Sequence, residues 1–207
     1  MRKLVVKTSF ITLGVCLILL LSLFGVLSLC VPYEMSKFTA NLGLYTLSGD
    51  YAYQEYERSG DIKYLARSFE IAAERGGARK AESRFAGLIA HEDFETYCAE
   101  RDEQMAQLET PPYKYKDYVY GRGARAKYRL AKTEDEKEIV CAFAIEYTED
   151  SFPAGNPVMT LAVEGASKQD GALCAMLLEK LQNGGRNFAD NADYTSIVKI
   201  LEEFKNE

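Results

Sequence analysis

The chain has 207 residues, is 47% hydrophobic, carries a formal net charge of −6 and contains no Trp. Its charge is unevenly placed. Residues 1–31 hold Arg2, Lys3 and Lys7 and no acid, so the remaining 176 residues carry 22 basic and 31 acidic side chains, a net charge of −9. A basic tip on an acidic globular body offers nucleic acid no evident electrostatic attraction.

From Thr8 to Tyr33 no residue is charged, and Leu, Val, Ile and Phe dominate. About 20 apolar residues cross the hydrocarbon core of a bilayer as a helix, so residues 8–32 are expected to form a transmembrane signal anchor behind a cytoplasmic tip at 1–7. Cleavage is disfavoured by Leu27-Ser28-Leu29, which puts Leu where a signal peptidase needs small residues. Leu29 ahead of Cys30 likewise spoils a lipoprotein signal. Basic residues precede the span, whereas Glu34, Lys37 and Asp50 come after it. The positive-inside rule then places the C-terminal body outside the cytoplasm of a single-pass protein, and the pattern suits a bacterial envelope. Residues 33–50 form the connecting helix, with Met35, Phe38, Leu42 and Tyr45 as a stripe that docks on the first repeat of the body.

Beyond residue 50 the apolar spacing is helical. Ile62, Leu65, Ala66, Phe69, Ala72 and Ala73 make one stripe, Cys174, Leu177, Leu178 and Leu181 another, and Tyr194, Ile197, Val198, Leu201 and Phe204 a third. Phe94, Tyr97 and Cys98 begin one more. Gly49-Asp50, Ser59-Gly60-Asp61, Gly76-Gly77 and Asn183-Gly184-Gly185 are turn signals. Thr133 with Glu136 has the spacing of a capping box, and Pro157 suits a first helical turn. Asp61, Asp93, Thr133 and Ser167 to Gln169 are the expected helix starts. The spacing predicts helical pairs at 51–58 with 62–75, 78–90 with 93–105, 114–131 with 134–147, and 157–166 with 169–182, then a closing helix near 192–205. The second helices start 31, 41 and 35 residues apart.

Tyr53, Tyr56, Ser59-Gly60-Asp61, Leu65, Phe69 and Ala72 resemble the tetratricopeptide-repeat pattern, and Leu42-Gly43 before Gly49-Asp50-Tyr51 echoes it one residue short. The resemblance is local to 51–75. No Trp opens a repeat, and 105–113, with Pro111-Pro112, breaks the register. It implies an all-α protein in which the membrane helix is followed by an α-solenoid of about four helical hairpins over 51–207. Such solenoids present a groove of first helices to peptides. Here the groove candidates are Tyr53 and Tyr56, together with Arg122, Arg125, Arg129 and Lys132.

Those four cations fall on one helical face, and residues 112–132 hold seven basic side chains against Asp117 alone. Tyr113, Tyr115, Tyr118, Tyr120 and Tyr128 are interleaved. The cations either pair internally, for example with the acids at 134–138, or hold an acidic protein or peptide, or meet anionic lipid or wall polymer. Gly121-Arg122-Gly123 lacks the strand and the Gly-Lys-Ser/Thr ending of a phosphate loop, and close helix packing explains its glycines better. His91 is the only His and sits at a turn, so a zinc pair of histidines is impossible, and a Ser-His-Asp or Cys-His arrangement would have to recruit it from there without a Gly-x-Ser-x-Gly elbow. Cys98, Cys141 and Cys174 show no Cys-x-x-Cys spacing and read as small buried residues, with one disulfide among them left open. The expectation is a non-catalytic, cofactor-free scaffold that binds a protein partner at the membrane. An extracytoplasmic hydrolase and a structural spacer are the alternatives.

Overall fold

A computed structural model describes residues 2–75, 77–107, 113–148, 155–183 and 192–206, with side chains from Thr12 onward. Among these residues there are eleven helices and no strand. The chain divides into two compact units, residues 1–68 and 69–207, the division falling within one helix.

The first unit contains α1 (Arg2–Cys30), α2 (Pro32–Asn41), α3 (Tyr45–Ser59) and the start of α4 (Ile62–Arg75). Within α1, Thr12–Cys30 is long and apolar enough to cross a membrane, and none of it is buried. One residue, Val31, separates α1 from α2. The connector expected as one helix over 33–50 is two elements, because Gly43 takes φ +75° and its amide bonds to Ala40. That left-handed conformation ends α2 and lets α3 begin at Tyr45, six residues before the expected start. α2 docks on α3 through Ser36 and Thr39 rather than through the expected stripe, of which Met35 is buried but Phe38, Leu42 and Tyr45 are exposed. Gly60 closes α3 at φ +71°, and Asp61 Oδ1 accepts the Lys63 amide at 3.0 Å, so the Ser59-Gly60-Asp61 turn forms as its residues dictate.

The second unit contains the rest of α4, α5 (Ala78–Ile89), α6 (Phe94–Ala106), α7 (Tyr115–Leu130), α8 (Glu134–Glu146), α9 (Pro157–Lys168), α10 (Gly171–Asn183) and α11 (Ala192–Phe204). These bounds agree with the expected pairs within a few residues. The Thr133–Glu136 capping box is present, and Pro157 opens α9 behind Asn156, whose side chain accepts the Met159 amide at 2.8 Å. Asp93 is the N-cap residue of α6, as expected, though without a side-chain cap bond. One expected start differs. Gln169 adopts φ 54° as the end of α9, and Asp170 instead caps α10 by accepting the Leu173 amide at 3.0 Å. Gly76, Pro111-Pro112 and Gly184-Gly185 lie outside the described residues.

α7 packs on α5, α6, α8 and α9, α9 on α8, α10 and α11, and α10 on α8 and α11. Leu161, Leu173, Leu177, Leu181, Ile197 and Leu201 are fully buried in the resulting core, with Cys141 and Cys174 among them. Each such Leu or Ile contributes roughly 1.5–3 kcal/mol by leaving water. Burial pushes the Cys98 and Cys141 thiols up to about 12, which fits small inert residues rather than nucleophiles.

Small residues decide how closely α7 meets its neighbours. A Cβ on Gly121 would fall on the Gly155 carbonyl oxygen, and one on Gly123 on the Phe85 ring. Backbone cannot yield as a flexible side chain can. Gly121→Ala is therefore expected to lower unfolding stability by about 1–3 kcal/mol, the range for an overpacked interior, measured by thermal melting of the chain in detergent.

Candidate functional site

The Arg and Lys side chains of α7 are distributed by what each neighbouring helix brings to them. Arg122 pairs with Glu74 at 2.7 Å, Lys116 with Glu95 at 2.7 Å and Lys127 with Glu82 at 3.4 Å. Arg129 grips Glu164 with two bonds, Nε to Oε1 at 2.7 Å and Nη2 to Oε2 at 3.1 Å. The partners of the Arg stripe are thus Glu74 and Glu164, carried by α4 and α9, and not the acids at 134–138. Those acids serve elsewhere: Glu136 in its capping box, Glu138 with Lys180, and Glu134 with Lys137.

Arg125 is different. Its Nη2 donates to the Ala73 carbonyl at 2.6 Å, one of the last carbonyls of α4, which lack partners inside their own helix. Among the described residues no carboxylate lies within 4.0 Å of its guanidinium. Partial burial, followed by the like charges of Arg122 and Arg129, lowers its pKa from the ordinary value. It remains a cation at any physiological pH.

Arg122 and Arg125 face a pocket of about 230 Å³ between α7 and α9, walled also by Tyr113, Tyr118, Met159 and Val163. The Tyr113 and Tyr118 rings stack at 5.0 Å, and the Arg122 guanidinium lies over Tyr118 at 5.4 Å. Tyr118 is fixed by a bond from its hydroxyl to Glu74 at 3.2 Å, and burial, then Glu74, raises its pKa so that it stays protonated. Glu164 closes one end, tied to Arg129 and to Lys168 at 3.3 Å. Burial pushes Glu164 up, but hydrogen bonding and charge from Arg129 and Lys168 outweigh this and hold it below the usual carboxylate range.

The pocket is therefore positive at its base and aromatic or apolar on its walls. Its volume is of the order of one or two side chains. A carboxylate with an apolar neighbour suits it, because a planar guanidinium offers such a group two parallel bonds.

A larger depression of about 590 Å³ includes Tyr128, Lys168, Asp170 and Lys205. Its acid is already committed: Asp170 accepts from Tyr128 Oη at 2.6 Å, from Lys137 Nζ at 2.8 Å and from the Leu173 amide, tying α7, α8 and α10 together. It reads as a structural joint. His91 lies in the turn between α5 and α6, where its Nδ1 accepts the Asp93 amide at 3.2 Å.

Of the residues expected at a binding face, Arg122 and Arg125 line the pocket, and Arg129 borders it through Glu164. Lys132 is exposed past the end of α7. Tyr53 and Tyr56 belong to the first unit, half-buried on α3 with rings 5.8 Å apart, and line no part of the pocket. The sequence reading missed Glu164, Met159 and Val163. Glu164 had a signal, since it is the lone acid in the otherwise uncharged run 157–166. No known protein family, curated protein or solved structure matches the chain.

Glu164→Gln should reveal the Arg129 pair. Because the folded-state pKa of Glu164 is depressed, its contribution is present above the ordinary carboxylate pKa and is lost as pH falls through the depressed value. Denaturant melts should show wild type about 1–2 kcal/mol more stable near pH 7, with Arg129 partly in solvent, and the gap should close as the pH falls below the carboxylate range.

Proposed function

We propose that this protein is a membrane-anchored, non-catalytic interaction module of the cell envelope, whose helical domain receives an acidic segment of a partner protein in the α7–α9 groove. The observation that carries the reading is Arg125: a partly buried guanidinium that bonds to a backbone carbonyl and makes no ion pair among the described residues, the nearby Glu74 and Glu164 being engaged by Arg122 and Arg129. An incoming carboxylate would give Arg125 an ionic partner in a site already shaped by Tyr113, Tyr118 and Arg122.

The packing order supports a tetratricopeptide-like solenoid behind the groove. First helices of successive pairs meet, α5 with α7, α7 with α9 and α9 with α11, and second helices α8 and α10 meet likewise. Stacking of this kind buries apolar faces that one pair cannot bury alone. The Thr12–Cys30 stretch supports the anchor, and the three basic residues ahead of it support an extracytoplasmic body. An anchor confines the domain to two dimensions, so a modest groove affinity suffices at the raised effective concentration.

The test is capture of partners by photo-cross-linking in native membranes, comparing wild type with Arg125→Gln and Arg125→Glu. Capture should fall at least tenfold in both variants, more in Glu, with circular dichroism unchanged. Undiminished capture by Arg125→Glu would exclude the groove as the binding site. Protease digestion of intact and opened cells checks the orientation: the body should be cut from outside.

A further inference from the structure

The turn between α2 and α3 has its polarity inverted. Among its outward residues are Phe38, Leu42 and Leu44, exposed to 50%, 58% and 49%, together with Tyr45 and Leu47. The seam between the two helices is small and polar: Thr39 and Ser48 are fully buried. Ser48 Oγ donates to the Ser36 carbonyl at 2.8 Å, Thr39 Oγ1 to the Met35 carbonyl at 2.7 Å, and Ser68 Oγ to the Gly49 carbonyl at 2.8 Å. A hairpin in water hides its apolar residues and displays polar ones. Close helix contact through Ser, Thr and Gly with apolar side chains outside is the arrangement that lipid favours. Residues 38–49 also contain no charge at all, between Lys37 and Asp50.

Three features keep the hairpin beside the end of α1 within the first unit. α2 follows α1 after a one-residue joint. Tyr51 Oη lies 2.7 Å from Ser28 Oγ, and Arg58 donates to the Cys30 carbonyl at 2.9 Å. Both bonds hold α3 beside the last residues of α1, and with it the α2–α3 turn that carries the exposed apolar residues. Phe24 and Leu27 are the least exposed large apolar residues of α1, as expected where a neighbour flanks its last turns.

We infer that the α2–α3 hairpin is a second membrane element, its turn at Phe38–Leu47 inserted among the lipid headgroups and upper acyl chains of the leaflet in which α1 ends. The inference rests on α1 being a true span. It assigns the exposed apolar cluster to lipid, the one partner that α1 brings alongside it by construction. Tyr45 then sits where aromatic side chains gather in membrane proteins. The hairpin then gives the first unit a second attachment to the bilayer.

The absence of native Trp makes the test direct. The full chain carrying Leu42→Trp, and separately Leu44→Trp, is reconstituted in phosphatidylcholine vesicles with ordinary or brominated acyl chains. Expected are blue-shifted emission, loss of most intensity in brominated vesicles, and protection from aqueous iodide. Emission at the water-exposed maximum, quenched by iodide and indifferent to bromine, with the chain resisting a carbonate wash, would overturn the hairpin insertion alone. Blue-shifted emission untouched by bromine would give the surface to protein and overturn it too. A chain released by the carbonate wash would remove both the span and the hairpin.

Discussion

The second unit depends on how closely α5 and α9 can approach α7. Gly121 and Gly123 carry no side chain at the points where the Gly155 carbonyl and the Phe85 ring press in, and Ala124 next to them in the chain is wholly buried. Glycine within a helix costs about 0.5–1 kcal/mol relative to alanine, and the dispersion attraction that near approach allows offsets it. The glycines thus exchange local helical preference for a tight joint. The same approach delivers Glu164 to Arg129 and aligns α9 as one wall of the pocket.

Charge on α7 then sorts by geometry. Each cation needs an acid at the right height on a neighbouring helix, and α4, α5, α6 and α9 supply Glu74, Glu82, Glu95 and Glu164. At Arg125 the neighbour presents the end of a helix, so a carbonyl takes the place of a carboxylate. The result is a fixed cation inside a mostly satisfied network, and on the proposed reading its preset orientation would lower the cost of binding an anion. Asp170 shows the opposite outcome. Burial pushes it up, but Lys137, Tyr128 and the Leu173 amide together hold it below the ordinary value, and no bonding capacity is left for a ligand.

The first unit has a different polarity. Its long apolar helix and the exposed apolar residues of the α2–α3 turn would both be satisfied by hydrocarbon outside, as inferred above. Burying Ser36, Thr39 and Ser48 is tolerable because every hydroxyl reaches a carbonyl or another hydroxyl at once. In contrast to the Leu-rich core of the second unit, this seam gains from close contact and hydrogen bonds more than from excluding water.

Helix content, most helix bounds, the apolar N-terminal stretch and the capping box at Thr133 could be read from the chain, because each depends on side chains three or four residues apart. Gly43 was legible too, yet its left-handed break in the connector was not foreseen, since Leu42 and Tyr45 imitate a continuing stripe. The sequence also marked Arg122, Arg125, Arg129 and Lys132 as one face. It could not tell which of them would be matched, because Glu74 and Glu164 are distant in the chain and arrive only when α4 and α9 pack. Periodicity is a local property and survives in the linear order of residues. Whether a charge is satisfied is a property of three-dimensional neighbours, and only the packed helices decide it.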